Sequence, residues 1–127
     1  MKHVAVIDDN PDQRELIGVI LAPIYEVTQY EDGHQALDAF RTEVPDLVIL
    51  DISLPRMDGA EVVREIRAGQ KWRNIPVIAL TGHAMVGDRE KYLAAGFDDY
   101  VTKPILDEGI LLQTVERWIA AGLGQKG

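Results

Sequence analysis

The chain has 127 residues, 46% hydrophobic and 27% charged, which suits one globular domain with a single core. A formal net charge of −8 argues against nucleic-acid or anionic-membrane partners, which need a basic surface. The absence of cysteine excludes disulfides, thiolate metal sites and thiol nucleophiles.

In chain order, strand and helix signals alternate five times. His3–Ile7 is a short β-branched run, the pattern of a strand buried on both faces. Asn10 then sets up a helix as N-cap, with Pro11 at the first helical position and Gln13 at the capping-box position. Leu16, Ile17, Ile20 and Leu21 form its apolar stripe, and Pro23 marks its end. The second strand is expected at Tyr25–Gln29. Asp32 caps a second helix, with Gln35 three residues on and Ala36, Leu37 and Phe40 inward.

The third strand is expected at Asp46–Leu50, followed by a loop through Gly59 that is long for a βα connection. Asp58 and Glu61 give a third capping signature, opening a helix that buries Val62, Val63 and Ile66. A fourth strand is expected at Val77–Leu80, a helix within Ala84–Ala95 ending at Gly96, and a fifth strand at Asp99–Val101. Leu111, Leu112, Val115, Trp118 and Ile119 mark a last helix that should stop before Gly122. Such alternation implies an α/β fold, a mostly parallel sheet with helices on both faces. The expected organisation is one domain over 1–122 and a short tail over 123–127, with no output domain. No apolar stretch approaches the ~18 residues of a membrane span, and Met1 leads directly into the first strand. A cytoplasmic protein is therefore expected.

Asp8 and Asp9 follow the first strand, Asp51 the third, Thr81 the fourth and Lys103 the fifth. Ligands of open α/β sheets bind beyond these carboxyl ends. Each residue alone has a bland reading: helix-start acids, a turn aspartate, a helix-start threonine, an exposed lysine. Together they supply carboxylates for a hard divalent cation, Mg²⁺ or its surrogate Mn²⁺, and a hydroxyl and an ammonium for phosphoryl oxygens. A carboxylate beside such a metal can itself attack phosphorus.

With Asp8-Asp9, the Asp51 loop carrying Leu54-Pro55-Arg56-Met57-Asp58-Gly59, Thr81-Gly82, the run Ala94–Thr102 and Lys103-Pro104, the chain resembles the receiver domain of two-component response regulators. Gly82-His83-Ala84-Met85 and Gly87-Asp88-Arg89 are similar to receivers of hybrid kinases and single-domain phosphorelay regulators. The resemblance implies a (βα)5 doubly wound, flavodoxin-like sheet of order 2-1-3-4-5. It implies Asp51 as phosphoacceptor, and Mg²⁺ held by Asp9, Asp51, the Ser53 carbonyl and, through water, Asp8. Lys103 would contact the phosphoryl group, and Thr81 and Tyr100 would switch the surface of helix 4, strand 5 and helix 5. Ser53 and His83 would tune hydrolysis, and Pro104 would follow a cis peptide bond. The implied donor is a sensor histidine kinase or histidine phosphotransfer protein, and the reader of the switch is a downstream protein.

Such a domain is a signalling module rather than an enzyme, though it catalyses its own phosphorylation and slow dephosphorylation. One departure is Ile52, where the chemotaxis regulator has tryptophan. The rivals fare worse. An interaction domain that never takes phosphate would not need the acid, Asp, Thr and Lys set. A haloacid-dehalogenase-type phosphatase needs an Asp two residues after its nucleophile, where this chain has Ser53 or Asn10. A flavin binder would want a Ser/Thr/Gly-rich phosphate loop where Asp8-Asp9-Asn10 stands.

Overall fold

Short runs of Val, Ile, Leu and Ala have no polar face to show to water, so they pair side by side and are covered from above and below. In the computed structural model, which describes residues 1–54, 57–69, 73–82, 88–103, 105 and 107–125, they form β1 (His3–Ile7), β2 (Glu26–Tyr30), β3 (Leu47–Asp51), β4 (Val77–Thr81) and β5 (Asp99–Thr102). All neighbouring pairs are parallel, and the order is β2-β1-β3-β4-β5. This is the α/β order that the resemblance implied.

Because side chains alternate across a strand, the sheet has two apolar faces. Val4, Val6, Leu47, Ile49, Ile78, Leu80 and Val101 pack with Ile17, Ile20 and Leu21 of α1 (Pro11–Leu21) and Leu111, Val115 and Ile119 of α5 (Glu108–Gln125). On the other face, Ala5, Ile7, Val48, Leu50, Val77 and Ala79 pack with α2 (Gly33–Phe40), α3 (Gly59–Ala68) and α4 (Asp88–Ala95). Each fully buried Val, Leu or Ile contributes about 1.5–3 kcal/mol through removal from water. The edge strand β2 is only half-covered.

The capping signals act as expected. Asn10 Oδ1 accepts the N–H groups of Asp12 and Gln13, Asp32 accepts from Gln35, and Asp58 accepts from Glu61. Several boundaries move by one residue. β2 runs Glu26–Tyr30 rather than Tyr25–Gln29, because Tyr25 closes the turn after α1 through its N–H to the Leu21 carbonyl. Asp46 lies before β3, where its carboxylate accepts the His3 N–H. Asp51, Thr81 and Thr102 are the last residues of their strands rather than the first of the loops.

Two expectations are corrected. Leu16 is exposed, since the stripe of α1 that meets the sheet passes through Ile17, Ile20 and Leu21. The last helix continues through Gly122 to Gln125. Glycine costs only about 1 kcal/mol in a helix interior, and one glycine does not stop a helix whose other face is packed.

Candidate functional site

Parallel pairing puts the carboxyl ends of β1, β3, β4 and β5 along one edge, where Asp51 and Thr81 end their strands and Asp8, Asp9, Ser53 and Lys103 lie just beyond theirs. The chain leaves β1 for α1 and β2 on one side and returns through β3 on the other, so a crevice opens between β1 and β3.

Asp8 follows Ile7 and is hooked to the end of β2 through its N–H to the Tyr30 carbonyl, 3.1 Å. Its side chain is fully buried. One carboxylate oxygen, Oδ1, accepts the Asn10 N–H at 2.9 Å. The other, Oδ2, has no hydrogen-bond partner and faces the Lys103 ammonium at 3.6 Å. The Arg14 guanidinium reaches back from α1 to the Asp8 carbonyl at 2.6 Å, fixing the loop against the helix. Asp9, next in the chain, is exposed.

Asp51 ends β3 opposite Leu80 and is 2% exposed. Its Oδ1 accepts the Ser53 N–H at 3.0 Å, and its Oδ2 lies 3.2 Å from Lys103 Nζ. Behind it, the Gly59 N–H donates to the Ile52 carbonyl at 3.0 Å. A Cβ on Gly59 would stand 2.7 Å from Ile52 Cα and 2.9 Å from the Asp51 carbonyl oxygen. Only glycine lets α3 start this close to the Asp51 turn. Lys103 is anchored beside β4 by its own N–H, which donates to the Thr81 carbonyl at 2.7 Å.

Asp8, Asp9 and Asp51 each bring a carboxylate oxygen within 4.8 Å of the others. Burial pushes the Asp8 carboxyl from 3.8 up to about 6; the Asn10 N–H opposes the rise, nearby Asp51 adds to it, and Lys103 opposes it. Two buried carboxylates side by side are costly unless cations share the space, and Lys103 supplies only one. An all-oxygen donor set that includes a buried oxygen without a hydrogen-bond donor fits a hard divalent ion such as Mg²⁺, and offers nothing that a softer metal would prefer.

Thr81 is buried at the end of β4. Its hydroxyl meets the Tyr92 hydroxyl of α4 at 2.8 Å. The Tyr92 ring in turn touches Tyr100, with centroids 5.7 Å apart, and Phe97 edge-on at 6.3 Å. Tyr100 is half-buried against the core on the α4 side of the sheet. Asp8, Asp9, Asp51, Ser53 and Lys103 therefore share one pocket edge, while Thr81 and Tyr100 are joined by Tyr92, which the sequence did not mark. A helical tyrosine four residues before Gly96 reads as ordinary core. Arg14 was missed too, although its place in the first turn after Asn10 is a usable signal. The expectations for His83 and Pro104 fall on residues outside the described set.

Comparison with known proteins agrees with this geometry. A sequence model of the response regulator receiver domain matches residues 4–116. The chain is 40% identical over 125 residues to the sensor protein GacS of Pseudomonas syringae pv. syringae, covering 95% of this chain and 14% of that protein. It thus spans about a seventh of that relative's length. A 14.6 kDa protein of Leptolyngbya boryana is 36% identical over 119 residues, covering 93% of this chain and 90% of its own. Among solved structures, the receiver domain of sensor histidine kinase PA1611 from Pseudomonas aeruginosa PAO1 superposes with a TM-score of 0.84 at 38% identity, over 94% of this chain and 98% of that one. That crystal structure has a magnesium ion coordinated in its active-site cleft. The chain belongs to the family of response regulator receiver domains.

Proposed function

We propose that the domain is a phosphorylation switch in which Asp51 accepts a phosphoryl group from a phosphohistidine. The donor is a histidine kinase or a histidine phosphotransfer protein. The carrying observation is the packing of three carboxylates within 4.8 Å beside Lys103, whose ammonium stands 3.2 Å from an Asp51 oxygen. In the transfer, an Asp51 oxygen attacks phosphorus as the nitrogen–phosphorus bond of the donor breaks, leaving an acyl phosphate on Asp51. Lys103 already faces that carboxylate, so its charge meets the phosphoryl oxygens without rearrangement. The Ser53 N–H holds the other Asp51 oxygen and so fixes the attacking one.

The side chains of Asp9 and Asp51 and the Ser53 carbonyl would hold Mg²⁺, or Mn²⁺ in its place, with Asp8 acting through water. Bound there, the ion supplies positive charge to the transferring phosphoryl oxygens. Thr81 then turns towards the phosphoryl group and Tyr100 turns inward, altering the α4–β5–α5 surface that a downstream protein reads. The domain thereby promotes its own phosphorylation and its slow hydrolysis, the latter tuned by Ser53 and His83. Among the described residues no helix is long and apolar enough to cross a membrane. We place the domain in the cytoplasm with its donor.

Acetyl phosphate tests the reading without a partner. With Mg²⁺ present, intact-mass spectrometry should show one added phosphoryl group, absent without metal and absent in Asp51→Asn. Wild-type phosphorylation of Asp51→Asn would overturn it.

A further inference from the structure

The Thr81 hydroxyl can reach a new position only through a change of rotamer. It meets the Tyr92 hydroxyl at 2.8 Å, on a buried residue whose β-branched side chain is confined to few rotamers. Tyr92 is itself fixed: its ring is buried, edge-on to Phe97 and tilted against Tyr100. Its side chain touches both Thr81 and Tyr100, and it lies on α4, facing the sheet. Turning Thr81 towards a group on Asp51 breaks the contact between the hydroxyls and removes one constraint on the Tyr92 ring against which Tyr100 rests.

From this contact we infer that Tyr92 is a positioning residue of the switch: its hydroxyl holds Thr81 in the resting rotamer and sets how readily the phosphorylated state forms. The inference rests on the reading of Asp51 as phosphoacceptor. A hydrogen bond made only in the resting state lowers the energy of that state alone, so it opposes any ligand that needs the other one. Its net worth between two buried hydroxyls is that of an ordinary hydrogen bond. Removing the Tyr92 hydroxyl while keeping the ring should therefore tighten a phosphoryl mimic by about fivefold, equivalent to about 1 kcal/mol.

The experiment is a calorimetric titration of Mg²⁺-saturated protein with beryllofluoride, for wild type, Tyr92→Phe, Thr81→Ala and the double variant. Tyr92→Phe should bind several-fold more tightly than wild type, and the gain should vanish in the Thr81→Ala background. Mg²⁺ affinity, measured separately, should be the same in wild type and Tyr92→Phe. A merely structural tyrosine would change the melting temperature but not produce a gain that depends on Thr81. Equal or weaker binding by Tyr92→Phe, or the same gain with and without Thr81, would overturn the positioning role and leave the phosphoacceptor reading standing. A wild type that binds no beryllofluoride would overturn both.

Discussion

The buried Asp8 carboxyl, without a hydrogen-bond donor at one oxygen and raised to about 6 by burial and by Asp51, makes the metal-free domain sensitive to pH. In the unfolded chain this group titrates near 3.8. Between these values the folded state binds the extra proton, so Asp8 makes stability fall as pH rises from about 4 to above 6. Replacing it by Asn removes the charge but keeps an acceptor for the Asn10 N–H. In chelator, Asp8→Asn should therefore be more stable than wild type at pH 8, by on the order of 2 kcal/mol. The advantage should shrink to near nothing at pH 4, as read by urea denaturation at each pH. An advantage independent of pH would point to packing rather than charge. The four charged residues of this pocket were legible in the sequence because each ends an apolar run, and parallel strands gather their ends. Tyr92 was not, because its meaning comes from a contact eleven residues away that no local period encodes.

At the scale of elements, polar ties at the opposite edge of the sheet hold α3, α4 and β5 in register. Arg67 near the end of α3 donates to the carbonyls of Gly96, Arg73 and Ile75 and to the Asp98 carboxylate, all within 2.9 Å. Asp98 also accepts the Val77 N–H as β4 begins. Gly96 ends α4 with a φ of +115°, a conformation that side chains with a Cβ rarely adopt. Arg67→Ala leaves several half-buried acceptors without this donor and should cost about 2–4 kcal/mol in chemical denaturation. Mg²⁺ affinity should be unchanged, since the metal-binding edge lies at the other ends of the strands. Arg67→Lys should recover only part of the loss, because one ammonium cannot replace a planar fork. Equal stability of Arg67→Ala and wild type would contradict the tie. Element types and the three Asx caps were readable from period and capping residues. The end of α5 was not, since Gly122 looks like a stop and the packed face of the helix overrides it.

Over the whole molecule, phosphoryl chemistry at one sheet edge has to reach a surface that another protein can read. The described contacts run from Asp51 to the Lys103 ammonium and from the Lys103 N–H to the Thr81 carbonyl, then through Tyr92 to Tyr100 on β5. Next to Tyr100, Asp99 gathers Trp118 Nε1 at 2.9 Å, Arg89 at 3.4 Å and Arg117 at 3.5 Å, tying α4 and α5 to β5. NMR shift changes on adding beryllofluoride should therefore extend beyond the pocket to α4, β5 and α5. Changes confined to residues around Asp51 would leave a phosphate carrier without an output surface. Strand order was legible only through the resemblance, because strand periods alone do not say which strand neighbours which. All of this depends on where the phosphoryl group is attached, and chemical trapping reads that directly. The domain would be phosphorylated with acetyl phosphate and Mg²⁺, reduced at once with borohydride, digested and sequenced by mass spectrometry. Reduction of an acyl phosphate converts the aspartate that carried it to homoserine, and the expected position is 51 alone. Homoserine at position 8 or 9, or phosphate that survives reduction, would contradict the assignment of Asp51 as phosphoacceptor.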